Sequence, residues 1–180
     1  KIPAVYAGNI YILLIGLGAF VGILGMAFNK MLTVSLDAFN QAPLPAVLKP
    51  MLPLLLALIL GFLLPQVLGG GSKLVDSLVV SNYTWYFLLI LLLGKFFFTM
   101  ICFGSGVPGG IFLPMLVLGS LGGAIFAKLA VLAGIMEPQW TVNCIVFGMT
   151  AYFSAVVKSP VTGAILIMEM TGSFEHLLAL

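Results

Sequence analysis

Arginine is absent from this chain, and charge of either sign is scarce. Its 180 residues carry seven lysines and five carboxylates, so charged residues make up 7% of the whole, against about 25% in an ordinary soluble domain. The net charge of +2 is spread over scattered lysines, which leaves no basic face for nucleic acid. There is one histidine, His176, and two cysteines, Cys102 and Cys144. That set is too small and too dispersed for a metal cluster, a CxxC pair or a Ser-His-Asp arrangement, and no paired carboxylates compensate. Neither an enzyme nor a bound metal or cofactor is expected. Both cysteines lie in apolar runs and read as free thiols.

Long hydrophobic runs are what the chain has instead. It is 62% hydrophobic with a mean hydropathy of +1.27, the composition of an integral membrane protein. The lipid bilayer is therefore its first expected partner. It begins at Lys1 and stops at Leu180 within an apolar run, as a piece of a longer protein would.

Punctuation by glycine and proline divides the runs into helices. The first is expected from about Asn9 to Phe39, with Gly18 and Gly22 spaced for close helix approach and Asn29, Lys30 and Asp37 emerging into water. Asn40 to Pro50 reads as a loop. A second helix from Met51 to Leu68 is expected to break or kink at Pro65 and stop at Gly69-Gly70-Gly71. The following Ser72-Lys73 gives no phosphate loop, because the required Gly-Lys-Ser/Thr order is missing. Ser72 to Val80 suits a short helix. Thr84 to Phe103 suits a long one carrying Lys95, a lysine expected to be structural and to snorkel or face protein or water.

Gly104 to Pro114, Gly-Ser-Gly-Val-Pro-Gly-Gly-Ile-Phe-Leu-Pro, puts uncharged, flexible backbone between two apolar runs. Phe112-Leu113-Pro114 opens a new helix, and proline fits its first turn. The amides of Ile111, Phe112 and Leu113 have no carbonyl four residues back inside that helix. They form the positive end of its dipole and are free for an anion. No charged side chain lies between Lys95 and Lys128 in the sequence, so an anion here would be held by partial charges and could leave again. A re-entrant turn whose glycines merely let helices pack is the other reading.

That helix is expected to reach about Ala133, roughly 33 Å at the helical rise and enough to cross, with Gly119 and Gly123 on one packing face. Glu137-Pro138 marks a turn, and Thr141 to Val157 another helix ending near Lys158. Ser159-Pro160 starts a helix running to about Thr171, only about 18 Å long and too short to span. A helix end inside a bilayer is a feature of transporter and channel sites. Glu169 near its end is a carboxylate with either a structural or a proton-linked role. Ser173 suits the start of a further helix, and His176 beside Glu175 an interfacial polar pair.

Gly110-Ile111-Phe112-Leu113-Pro114 fits the Gly-x-Phe-x-Pro motif of the CLC family, the voltage-gated-type chloride channels and proton-chloride antiporters. Gly94 to Leu129 resembles that family's stretch around the motif. Thr141 to Gly172, with Lys158-Ser159-Pro160-Val161-Thr162-Gly163 and Met168-Glu169-Met170-Thr171, resembles its next two helices. The resemblance implies an all-α fold of polytopic membrane helices with short, tilted and broken segments, the second half of an inverted repeat. Residues 1–180 would then be the C-terminal membrane portion of an anion transport domain whose first repeat is absent. It further implies chloride as the ligand, bound by amides at Ile111 and Phe112 beside Gly110. The expected partners are a second copy in a homodimer and the N-terminal half of the same parent protein, in a bacterial inner membrane. Ser105 is not carried over as the family's chloride-binding serine, since that residue belongs to the first repeat. A structural or oligomerisation piece, or an unrelated secondary transporter, are the alternatives.

Overall fold

The computed structural model describes residues 8–43, 45, 48–80, 83–107 and 109–171. The expectations for Ser173, Glu175 and His176 lie outside them. Among the described residues seven α-helices follow one another: α1 (Gly8–Gln41), α2 (Met51–Leu63), α3 (Ser72–Val80), α4 (Trp85–Gly104), α5 (Phe112–Leu132), α6 (Thr141–Val157) and α7 (Pro160–Thr171). Short 3-10 turns stand at Pro65–Val67 and Pro138–Trp140. Among the described residues there is no strand. The chain is an integral membrane protein: α1, α4, α5, and α6 taken together with the 3-10 turn that leads into it (Pro138–Val157), are each long and apolar enough to cross a bilayer, whereas α2 is apolar but has only 13 residues.

α5 is the axis of the bundle. Every residue from Met115 to Ile125 is buried, as expected of a helix that is apolar all round, and α6, α4, α1 and α3 pack about it. Its contact with α6 is made by backbone. A Cβ on Gly119 would lie 2.7 Å from the Gly148 carbonyl oxygen, and one on Gly123 would strike the Cys144 carbonyl. Helices meet this closely in membranes because lipid tails supply no hydrophobic drive and packing must do the holding.

On α1 the outcome departs from expectation. Gly18 and Gly22 have open space where a side chain would be, while Gly25 is the point of close approach, 2.9 Å from a would-be Cβ to Ala155 Cβ. Nor is Asn29 left to water. Its amide donates to the Val156 carbonyl at 3.1 Å, fastening α1 to the end of α6. Phe28 beside it packs edge-on against Phe96 of α4 and Tyr152 of α6, with ring centres 6.0 and 5.9 Å apart.

Three hydroxyls inside the bundle fold back onto their own helices. Ser120 donates to Val117 O, Thr99 to Lys95 O and Thr150 to Val146 O, which satisfies them where no water is at hand. The outside is apolar as well: Ile12, Ile15, Leu54, Leu58 and Phe62 are more than half exposed. Such a surface suits lipid or further protein, not water.

α6 ends at Lys158, which takes the left-handed conformation (φ 59°). The reversal folds α7 back along α6, with Gly163 against Phe153 and the Thr150 carbonyl.

Candidate anion site

The loop between α4 and α5 is shaped by how α4 stops. The amides of Ser105 and Gly106 donate to Ile101 O and Phe103 O, and Gly106 turns the chain with φ 77°, a conformation glycine takes without strain. Ser105 spends its hydroxyl on Cys102 O at 2.8 Å and does not line the cavity described below. From the other side α1 holds this corner: Ser35 donates to Met100 O at 2.7 Å, and a Cβ on Gly104 would come 2.7 Å from the Phe39 ring.

α5 then begins with three amides ahead of its hydrogen-bond ladder. Met115 is the first donor, to Ile111 O at 3.0 Å, and Pro114 has no amide hydrogen to give. The amides of Ile111, Phe112 and Leu113 precede that bond. Gly110 and Ile111 line a cavity of about 210 Å³ together with Pro114, ample for an ion and some of its water at about 30 Å³ per molecule. Phe112, next in the chain, is not among the residues that line the cavity, and its ring packs edge-on against Phe153 of α6, 5.6 Å between centres.

Across the cavity stands α4, and here the structure adds what the sequence reading lacked. Lys95, Thr99 and Cys102 line the same cavity. Lys95 neither snorkels nor meets water, being 1% exposed. Its ammonium donates to Val67 O at 2.8 Å and Gly69 O at 2.6 Å. An ammonium has three donors, and among the described residues its hydrogen-bond partners are two carbonyls and no carboxylate. The expectation that only partial charges face an anion is therefore corrected: a buried full charge shares the cavity. Taking an unpaired ammonium out of water costs several kcal/mol, and an anion entering the cavity offsets part of that. The signal was present in the i, i+4, i+7 spacing of Lys95, Thr99 and Cys102, which puts all three on one stripe of α4.

Glu169 lies on α7, exposed, and is not among the cavity residues. Cys102 and Cys144 are free thiols.

Spanning helices, a short apolar helix that stops at Pro65 and a helix that starts beside a cavity are an architecture that membrane channels and secondary transporters share. The family model described as voltage gated chloride channel matches residues 2–180, and the chain belongs to that family. It is 38% identical over 172 residues to the H(+)/Cl(-) exchange transporter ClcA of Vibrio parahaemolyticus, covering 91% of this chain and 36% of that protein. ClcA of Salmonella agona is 34% identical over 169 residues, covering 90% and 35%. The crystal structure of a slow cyanobacterial Cl-/H+ antiporter superposes with a TM-score of 0.79 at 31% identity, over 97% of this chain and 41% of that one. The all-α fold expected from the sequence is that of the matching part of the antiporter. The chain spans about a third of the length of the curated relatives it matches.

Proposed function

We propose that this chain is the C-terminal membrane portion of a chloride transport protein, in which the α5 N-terminus binds chloride through the amides of Ile111 and Phe112 beside Gly110. The observation that carries this is the cavity where the start of α5 and the Lys95 ammonium occur together. Both are positive, one by dipole and one by charge, and the walls are otherwise apolar or hydroxyl-bearing, so the cavity favours an anion and repels a cation. Transport needs such a site to be weak enough to release its ion. The rest of the parent protein would close the pathway, and a second copy would cover exposed apolar surface on α1 and α7. Relatives named as exchangers support proton coupling, and their bacterial sources support an inner-membrane setting. Glu169, exposed on α7, serves as an interfacial anchor.

Flux from liposomes tests this. The product of the complete gene is reconstituted, a chloride gradient is imposed, and chloride and pH electrodes read the same sample. Chloride movement that drives protons uphill supports an exchanger, and chloride movement alone supports a channel. No chloride flux above that of empty liposomes would defeat the proposal and leave the chain as a structural or oligomerisation piece.

A further inference from the structure

A second, more polar cavity of about 600 Å³ adjoins the first, with Gln66, Ser72, Lys73, Ser77 and Tyr83 in its lining. Gly69 lines both. The two spaces are thus separated at this point by one stretch of backbone with no side chain on it.

That stretch is held from two directions. On one side Lys95 reaches up from α4 and donates to the carbonyls of Val67 and Gly69. Val67 is itself fully buried. On the other side the next two glycines lie against the first turns of α5: a Cβ would fall 2.9 Å from Leu113 Cδ1 at Gly70, and 2.6 Å from Val117 Cγ2 at Gly71. Gly69 and Gly71 both have positive φ, 68° and 86°, so the path of the segment depends on glycine. Three glycines in a row have little stiffness of their own, and an ammonium bonded to two carbonyls fixes the position that the sequence leaves loose.

We propose that Lys95 is a positioning residue. By holding Val67 and Gly69 it sets the glycine segment as a partition between the polar cavity and the α5 cavity, and thereby governs how readily solutes pass from one to the other. The polar cavity is then the vestibule from which an anion enters. This rests on the anion-site reading for what passes, though the partition itself stands on the hydrogen bonds and the shared wall. Lysine suits the task because its flexible stem runs through apolar surroundings to a head with several donors.

Cys102, which lines the α5 cavity and also an apolar one against α2, is the reporter, and Cys144, buried on α6 with its thiol against Met136, is its control. The product of the complete gene is treated with the small neutral reagent methyl methanethiosulfonate, and modification at each thiol is followed by peptide mass spectrometry. With Lys95→Met, which keeps the stem and removes the donors, Cys102 is expected to react several-fold faster while Cys144 is unchanged. Lys95→Arg should restore the slow rate at Cys102. Equal Cys102 rates in wild type and Lys95→Met would overturn the proposal, as would a parallel acceleration at Cys144, which would mean general loosening. If Lys95→Met fails to accumulate, Gly71→Ala displaces the same segment through Val117 and must give the same selective acceleration. Chloride is added in a separate arm: if it does not slow Cys102 modification in the wild type, the anion-site reading fails while the comparison among variants still judges the partition.

Discussion

Gly148 and Gly119 meet backbone to backbone, a Cβ on Gly148 falling 2.6 Å from the Gly119 carbonyl oxygen and 2.8 Å from the Gly123 Cα. Nothing flexible lies in the way, so an added methyl forces α5 and α6 apart. Gly148→Ala is expected to destabilise by about 1–3 kcal/mol or more, the usual range for overpacking. Gly18→Ala, with open space around it, should be neutral by the same measure. Thermal unfolding in detergent followed by intrinsic fluorescence checks the pair, and equal midpoints would show that the contact can relax.

At the site, the amide and the side chain can be separated. Ile111 has φ −87°, near the value proline enforces, so Ile111→Pro removes the amide hydrogen with little change in path. Chloride binding by isothermal titration should weaken by about 1.5–3 kcal/mol, the worth of a hydrogen bond to a charged group. Phe112→Leu keeps its amide and loses the edge contact with Phe153, so it should retain binding. Unchanged affinity in Ile111→Pro would remove the amide from the site.

Glu169 gives a negative prediction. It is exposed on α7 and absent from the cavity lining, so Glu169→Gln should leave chloride flux and its pH dependence as in the wild type. A lost proton response in the two-electrode liposome assay would assign it a share in proton transfer.

Lys158 holds the left-handed conformation at the end of α6, φ 59° and ψ 33°. A side chain there costs about 1–2 kcal/mol, most of which glycine avoids. Lys158→Gly should therefore be neutral or slightly stabilising in the detergent melt, while Lys158→Val, branched at Cβ, should be clearly worse. A Lys158→Gly variant clearly less stable than the wild type would mean that the ammonium at the helix end matters more than the backbone.

Element boundaries were legible because they are written by residues that act on their own backbone. Pro65 ended α2, Ser159-Pro160 opened α7, and the α6 limits of Thr141 and Val157 agree with expectation. The start of α5 and its free amides follow equally from Phe112 and Pro114. Partners distant in sequence were another matter. The Gly18 and Gly22 spacing suggested close approach, yet Gly25 makes it, because what faces a glycine is decided by how another helix crosses. Lys95 was legible as a buried-depth lysine, but its two carbonyl partners lie 28 and 26 residues away, in the segment after Pro65 whose path the sequence pattern does not give.

The tie between Asn29 and Val156 joins residues 127 positions apart. At about 5–20 residues per second of synthesis, the acceptor leaves the ribosome roughly 6–25 s after the donor. Throughout that interval α1 has neither Val156 nor the Ala155 surface that Gly25 packs against. By the end of that interval α1 already has α4 and α5 to pack against, through Phe28 on Phe96 and Ser35 on Met100 O, so what the later synthesis of α6 adds is the acceptor for the Asn29 amide and the close face for Gly25.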